Sequence, residues 1–171
     1  PRSTLFPYTT LFRSRHGNRL DFVNPEWFNM AERPYDPPLS GDGELQAAQL
    51  GQRLVGKGIK HIFASPFLRT VQTANQVAEI LDLPIKLELG LSEWLNPEWM
   101  ATEPERLPYE VLHKQFQRID TSYISCVIPE YPETSVALLK RTGETAQRIT
   151  AQFSEDLLLV GHGPSVVGTT Q

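Results

Sequence analysis

The chain has 171 residues, 40% of them hydrophobic and 21% charged, which fits one globular domain and excludes a disordered chain. Sixteen Lys and Arg against twenty Asp and Glu leave a net charge of −4. No basic field exists to hold a nucleic acid, although a few arginines in a cleft can still hold a small anion. The single cysteine, Cys126, excludes an internal disulfide and any CxxC zinc or redox motif. No apolar run approaches the roughly 18 residues of a membrane span. No stretch reads as a signal peptide, so a cytoplasmic location is the expectation.

In chain order, Thr4-Leu-Phe-Pro-Tyr-Thr-Thr-Leu-Phe-Arg-Ser14 resembles the conceptual translation of a common sequencing-adapter oligonucleotide. That reading makes residues 1–14 a non-native segment. The alternative is a β-hairpin-like start, since residues 8–12 have strand propensity. Pro1 in place of a Met, and an uncapped stop at Gln171, lead us to expect a chain clipped at both ends. Residues 15–33 have no clean period and read as loop or broken helix. Residues 35–43 are dense in turn formers and read as loop. Ala47, Leu50, Gly51 and Leu54 then follow helical spacing, with Gly56 and Gly58 as the stop. Residues 61–65 form a short strand. A second helix follows Pro66, with Ala74, Val77, Ala78 and Leu81 on one face and Pro84 closing it. Residues 85–89 alternate as a strand.

Residues 96–134 carry five prolines and are too long for a plain connection, which predicts an inserted subdomain or lid with a helix over 109–118. A third helix runs from about Ser135, with Leu139, Thr142, Ala146, Ile149 and Phe153 on its inner face. Residues 156–160 are a continuous apolar run suited to a strand buried on both sides. Alternating strands and helices of this kind indicate an α/β fold with a mainly parallel sheet.

Three segments carry chemistry. Arg15-His16-Gly17-Asn18-Arg19 sets an imidazole between guanidiniums, which match phosphate oxygens bidentately, beside a glycine that permits close backbone approach. Gly161-His162-Gly163 follows a buried strand, at the carboxyl end where α/β sheets build their sites. Arg69 falls in the first turn of a helix, unfavourable for a cation unless it serves an anion there. Taken singly, each also reads as a turn or surface residue; together they bring His or Arg to one edge of a sheet. Trp27, Trp94 and Trp99 offer either an aromatic wall or core. The four histidines show neither HExxH nor paired ligand spacing, so no metal site is expected. GxSxG, dinucleotide and Walker patterns are absent.

The set Arg15-His-Gly17, Ser65-Pro-Phe-Leu-Arg69-Thr-Val-Gln-Thr-Ala74 and Gly161-His-Gly163 resembles the histidine phosphatase superfamily, with its phosphoglycerate mutase-like fold. Gly90-Leu-Ser-Glu93-Trp94-Leu and Ile119-Asp-Thr-Ser-Tyr123 resemble its ecdysteroid-phosphate phosphatase and T-cell ubiquitin ligand branch. The resemblance implies a mainly parallel sheet flanked by helices with an inserted lid. It also implies a metal-independent phosphomonoester hydrolase acting through phosphohistidine, with no cofactor. His16 matches the nucleophile. Arg15, Arg69 and His162 match the pocket for the phosphoryl oxygens, and Arg19 an additional arginine there. Glu93 matches the acid that protonates the leaving oxygen; desolvation beside Trp94 would raise its pKa toward that role.

A mutase-type phosphotransfer and a non-catalytic phospholigand-binding module of the same fold remain alternatives. The expected partner is a phosphorylated small molecule or a phosphotyrosyl protein, with no nucleic acid and no membrane; a homodimer stays open. The resemblance further implies a buried strand ahead of Arg15, a place taken by the adapter-like residues, and elements beyond Gly168. His16 and His162 are expected to meet on neighbouring strands.

Overall fold

The computed structural model describes residues 9–170. Four strands, β1 (Leu11–Arg15), β2 (His61–Ala64), β3 (Ile85–Leu87) and β4 (Leu157–Gly161), form one sheet in the order β1-β4-β2-β3, parallel throughout. Parallel neighbours need crossover connections. These carry α1 (Leu20–Val23), α2 (Trp27–Met30) and α3 (Gly41–Leu54), then α4 (Leu68–Leu81), then α5 (Tyr109–Gln115) and α6 (Ser135–Gln152). A short α7 (Gly163–Gly168) follows β4.

The sheet separates two cores because side chains alternate between its faces. Ile62, Leu158 and Val160 pack with Leu54, Val71 and Val77 of α3 and α4. Phe63, Leu157 and Leu159 face the other way, onto Ile149 of α6 and Leu91. β4 is flanked by strands on both sides and buried at all five residues, as its unbroken apolar run requires.

β1 lies at the edge of the described sheet and is partly exposed, with Arg13 and Arg15 turned outward. A buried floor strand was the expectation; what stands ahead of His16 is a regular but half-open strand. It pairs with β4 in register from Leu11 against Leu157 to Arg15 against Gly161. Pro1 to Tyr8 of the adapter-like stretch lie outside the described residues.

Local chemistry sets the remaining boundaries. The expected loop over 35–43 ends at Ser40, because its Oγ caps α3 by accepting from Gly43 N at 3.1 Å. Gly56 and Gly58 take φ of 75° and 79° after the helix, conformations that favour glycine. The strand expected over 85–89 stops at Leu87, since the buried Glu88 carboxylate collects Gly90 N, Cys126 N and the Tyr123 hydroxyl. Thr134 caps α6, and Leu138 rather than Leu139 is buried; Leu139 is 39% exposed. The inner face is therefore one residue out of phase with the predicted one at its start. Between 96 and 134, Leu112 and Ile119 join the core that β2 and α4 build, and Ile119 bridges Ile85 in parallel. Among the described residues, no helix is long and apolar enough to cross a membrane.

Candidate active site

The parallel sheet brings the carboxyl ends of β1, β2 and β4 together. His16 N donates to Gly161 O at 3.0 Å, and Ser65 N to Val160 O at 3.0 Å. These two bonds continue the ladder one residue past the strands and set His16 and His162 side by side. Their ring centroids lie 5.3 Å apart, edge-on. The expected meeting of residues far apart in sequence is therefore observed.

Gly17 allows the chain to leave β1 flat against α3. A Cβ at Gly17 would collide with the Gly43 carbonyl, and one at Gly43 with the Asn18 carbonyl. Gly17 N donates to Thr73 Oγ1 at 3.1 Å, and that hydroxyl donates to Arg69 O at 2.8 Å. Thr73 thus ties the turn carrying His16 to the helix carrying Arg69.

The ring nitrogens can be assigned by their partners. His16 Nδ1 lies 2.6 Å from Gly17 O, which can only accept. Nδ1 therefore carries the proton and Nε2 a free lone pair. Burial, then the charges of His162 and Arg69, push His16 down to about 2, against a partial offset from the Gly17 carbonyl. The ring is neutral, hence nucleophilic, at any ordinary pH. His162 Nδ1 lies 3.2 Å from Arg69 Nη2 and 3.4 Å from Glu93 Oε2, and its Nε2 lies 2.9 Å from Ser65 Oγ. Burial holds His162 down to about 4, Glu93 pulling the other way.

Arg69 is 1% exposed, not the surface residue its place in a first helical turn suggests. Its Nη2 donates to Glu93 Oε2 at 3.3 Å, and Nη1 lies 3.9 Å from Asp36 Oδ1. Its Nε and Nη1 have no hydrogen-bond partner. Burial lowers the guanidinium to about 10, with Glu93 opposing, so it stays charged at neutral pH. The anion at the start of α4 is Asp36, whose Oδ1 accepts from Leu68 N at 2.8 Å. Burial pushes the Asp36 carboxyl up to about 6 despite that hydrogen bond and the facing arginines.

Glu93 is buried, with Oε2 3.4 Å from His162 Nδ1 and Oε1 accepting from Trp94 N at 3.0 Å. Burial alone would raise its carboxyl. The His162 ring, the Arg69 guanidinium and the Trp94 N–H outweigh that and hold it well below the usual carboxylate range. The raised pKa anticipated from a neighbouring Trp is thus reversed: the cation beside the carboxylate counts for more than its desolvation.

Arg19 lies at the wall of a cavity of about 230 Å³ that also holds Arg69 and Glu93. Its fork is engaged by Asp21, Nε at 2.9 Å and Nη2 at 2.7 Å, with its Cζ 4.4 Å from the Phe22 ring centre. Phe28, Tyr35 and Trp99 wall the same cavity, Trp99 being 55% exposed. Trp94 packs edge-on against Trp99 at 5.0 Å, and the Trp27 indole, which does not line the cavity, donates to Pro34 O. Arg15 is exposed and lines a separate recess of about 200 Å³ with His16, Gly17 and Thr73. It makes no hydrogen bond or ion pair with Glu93, whose carboxylate is engaged by Arg69 and Trp94 N.

His16, Glu93 and His162 could hold a metal ion by distance alone, their ligand atoms lying within 4.8 Å of one another. Arg69 Nη2 already sits 3.3 Å from the carboxylate and 3.2 Å from the His162 nitrogen. A guanidinium at that point repels a divalent ion. A larger apolar cavity of about 440 Å³, beside α5 and lined by Leu87, Tyr109, Ile119 and Tyr123, contains none of these groups.

Sequence reasoning missed Asp36, Ser65, Thr73, Glu133 and Arg141. Ser65 and Thr73 stand inside a segment already singled out, but nothing local reveals which histidine or amide they reach. Arg141, in the middle of a helix, gives no signal at all.

Comparison with known proteins agrees with this arrangement. The family model "Histidine phosphatase superfamily (branch 1)" matches residues 11–166. The chain is 33% identical over 152 residues to ubiquitin-associated and SH3 domain-containing protein A of Homo sapiens, covering 80% of this chain and 22% of that protein. It is 29% identical over 158 residues to the transcription factor tau 55 kDa subunit of Saccharomyces cerevisiae, covering 85% of this chain and 32% of that protein. The chain thus spans about a third or less of these relatives. The ecdysone phosphate phosphatase of Bombyx mori, solved with tungstate, superposes with a TM-score of 0.75 at 25% identity, over 94% of this chain and 75% of that one. A matching family model over most of the chain, and a site assembled from that family's motifs at three adjacent strand ends, make this protein a member of the histidine phosphatase superfamily.

Proposed function

We propose that the protein hydrolyses phosphomonoesters without a metal, through a phosphohistidine on His16 Nε2. The observation that carries this reading is the pair of buried, unpartnered Arg69 donors, Nε and Nη1, next to a neutral imidazole with a free lone pair. Each orphaned buried donor costs about 1–3 kcal/mol. A phosphoryl group supplies the missing acceptors and puts phosphorus in reach of the nucleophile.

The electron pair of Nε2 attacks phosphorus, and the bond from phosphorus to the leaving oxygen breaks. Glu93 hands that oxygen a proton. Its neighbours hold Glu93 ionised, so the proton arrives with the substrate: a phosphate monoanion, whose second pKa is about 6, delivers it on binding. Water then attacks the phosphohistidine, Glu93 takes its proton, and His16 leaves neutral. Arg69 takes up the charge that develops on the phosphoryl oxygens. His162 holds Arg69 in place through Nδ1. Arg19 lines the cavity with Arg69 and Glu93, Arg15 lines the recess with His16, and reorientation brings both to the anion. The proposed substrate is a phosphorylated small molecule or a phosphotyrosyl protein; the walls of Phe28, Tyr35 and Trp99 suit an aromatic leaving group. The reading keeps the cytoplasmic location expected from the sequence.

Phosphate release from p-nitrophenyl phosphate in EDTA tests the reading. Glu93→Gln should lose little on that substrate, whose leaving group needs no proton, and about 10²–10⁴-fold on an alkyl phosphate. Equal losses on both would remove Glu93 as the acid. A second reading, a non-catalytic phospholigand module, draws on the tau 55 kDa relative, whose name is that of a transcription factor subunit. Absence of turnover together with retained tungstate binding would favour it.

A further inference from the structure

We infer that Arg141 and Glu133 form a positioning pair for Glu93, an inference that rests on the proposed acid role of that residue. Glu93 itself is held by few side-chain contacts. Its carboxylate meets Trp94 N, Arg69 and His162, and none of these fixes where its main chain runs. That task falls to two residues nearly fifty and forty positions further along the chain.

The Arg141 side chain is 5% exposed and that of Glu133 3%. Nε donates to Glu133 Oε1 at 2.6 Å and Nη2 to Oε2 at 2.8 Å, a two-pronged fork. The remaining donors go to main-chain carbonyls of the turn that carries the acid. Nη1 reaches Gly90 O at 2.8 Å and Ser92 O at 3.2 Å, and Nη2 reaches Glu93 O at 3.3 Å. A guanidinium has five N–H donors, and here each has an acceptor. Glu133 completes the clamp from the other side. Its N donates to Leu95 O at 2.9 Å, its Oε2 accepts from Leu95 N at 3.3 Å, and its O accepts from Trp94 Nε1 at 2.9 Å.

The main chain from Gly90 to Leu95 is therefore bound at three carbonyls by the Arg141 side chain and at Leu95 by Glu133, whose carboxylate takes the Leu95 N–H and whose own main-chain N–H serves the Leu95 carbonyl. A buried ion pair is a poor source of net stability but a strong source of unique geometry when every donor is satisfied. Here the geometry specified is the reach of Glu93 Oε2 toward Arg69 and His162. Lysine at 141 keeps the charge but offers one nitrogen in place of the fork, and it cannot serve the carboxylate and three carbonyls together.

The test compares Arg141→Lys, Glu133→Gln and Glu93→Gln in the full chain. A positioning role predicts that Arg141→Lys loses about ten- to a hundredfold on an alkyl phosphate and far less on p-nitrophenyl phosphate, because a small misplacement of the acid matters only where the proton is needed. In a Glu93→Gln background the same substitution should add no further leaving-group dependence. Losses equal on both substrates, or additive with Glu93→Gln, would overturn the inference. A readout independent of turnover is the ¹⁵N shift of the His162 ring, which faces Glu93 at 3.4 Å. Arg141→Lys, or Glu133→Gln should the first variant fail to fold, must move that signal in the direction that Glu93→Gln moves it. An unmoved His162 signal would refute positioning even if the phosphatase reading held. A wild-type chain with no turnover, but with the His162 shift behaving as stated, would remove the phosphatase reading and keep the clamp.

Discussion

Replacing Arg69 by Lys separates what this residue does for the fold from what it does for an anion. Its guanidinium is buried, with one nitrogen shared between Glu93 Oε2 at 3.3 Å and His162 Nδ1 at 3.2 Å and two without partners. Lysine retains a cation opposite Glu93 and Asp36. It gives up the Nη2 contacts, a charge-assisted interaction worth about 1.5–3 kcal/mol, and removes two orphaned donors that cost about 1–3 kcal/mol each. The two effects oppose each other, and their ranges leave the free protein at most about 1 kcal/mol less stable and at the other limit about 4–5 kcal/mol more stable. Turnover behaves otherwise. The Arg69 donors without a protein acceptor are those available to the phosphoryl oxygens, and losing such a preorganised contact costs about 10²–10³ in rate, or roughly 2.7–4 kcal/mol of transition-state stabilisation. Urea unfolding and hydrolysis of p-nitrophenyl phosphate, measured on the same preparation, give both quantities. Tungstate supplies a third: at a hundred times its Kd it should stabilise the wild type by about 2.7 kcal/mol and the variant by much less. An activity loss under tenfold, or one accompanied by destabilisation beyond about 4 kcal/mol, would refute the argument that Arg69 is kept for the anion.

His16→Ala should abolish phosphate release, and an acid-labile ³²P label retained by that variant would place the nucleophile elsewhere. Stability should fall on acidification between about pH 6 and 5. His16 and His162, held down to about 2 and about 4, take up protons on unfolding in that window, while Asp36, raised to about 6, releases one. The net uptake of about one proton gives a slope of about 1.4 kcal/mol per pH unit. Asp36→Asn removes the opposing term and should roughly double that slope in urea titrations; an unchanged slope would contradict the raised Asp36 pKa. Gly17→Ala should destabilise by about 1–3 kcal/mol or more, because the added methyl meets the Gly43 carbonyl rather than a movable side chain. Its urea midpoint checks this.

Most elements were legible because their cause is local. The helical spacing that buries Ala47 and Leu54 in α3, and Ala74 and Val77 in α4, appears in the sequence as a period. So does the unbroken apolar run of β4. Boundaries were less legible where a side chain from afar decides them. β3 stops at Leu87 because Glu88 turns inward to Tyr123, Cys126 and Val127, and no pattern within residues 85–89 announces that.

For the site, sequence alone determined which chemical groups are present and which strand ends carry them: His16, Arg69 and His162 follow directly from short motifs. It could not determine their ionisation. The raised pKa expected for Glu93 came from one neighbour, Trp94, whereas the structure adds Arg69 and His162, both supplied by other elements. Nor could it reveal that Asp36 sits against Arg69, or that Arg141 holds the turn bearing Glu93. The reason is physical. A motif records covalent neighbours, while charge state and orientation depend on groups a few ångströms away in space, and in a parallel α/β fold those groups are contributed by crossovers tens of residues apart.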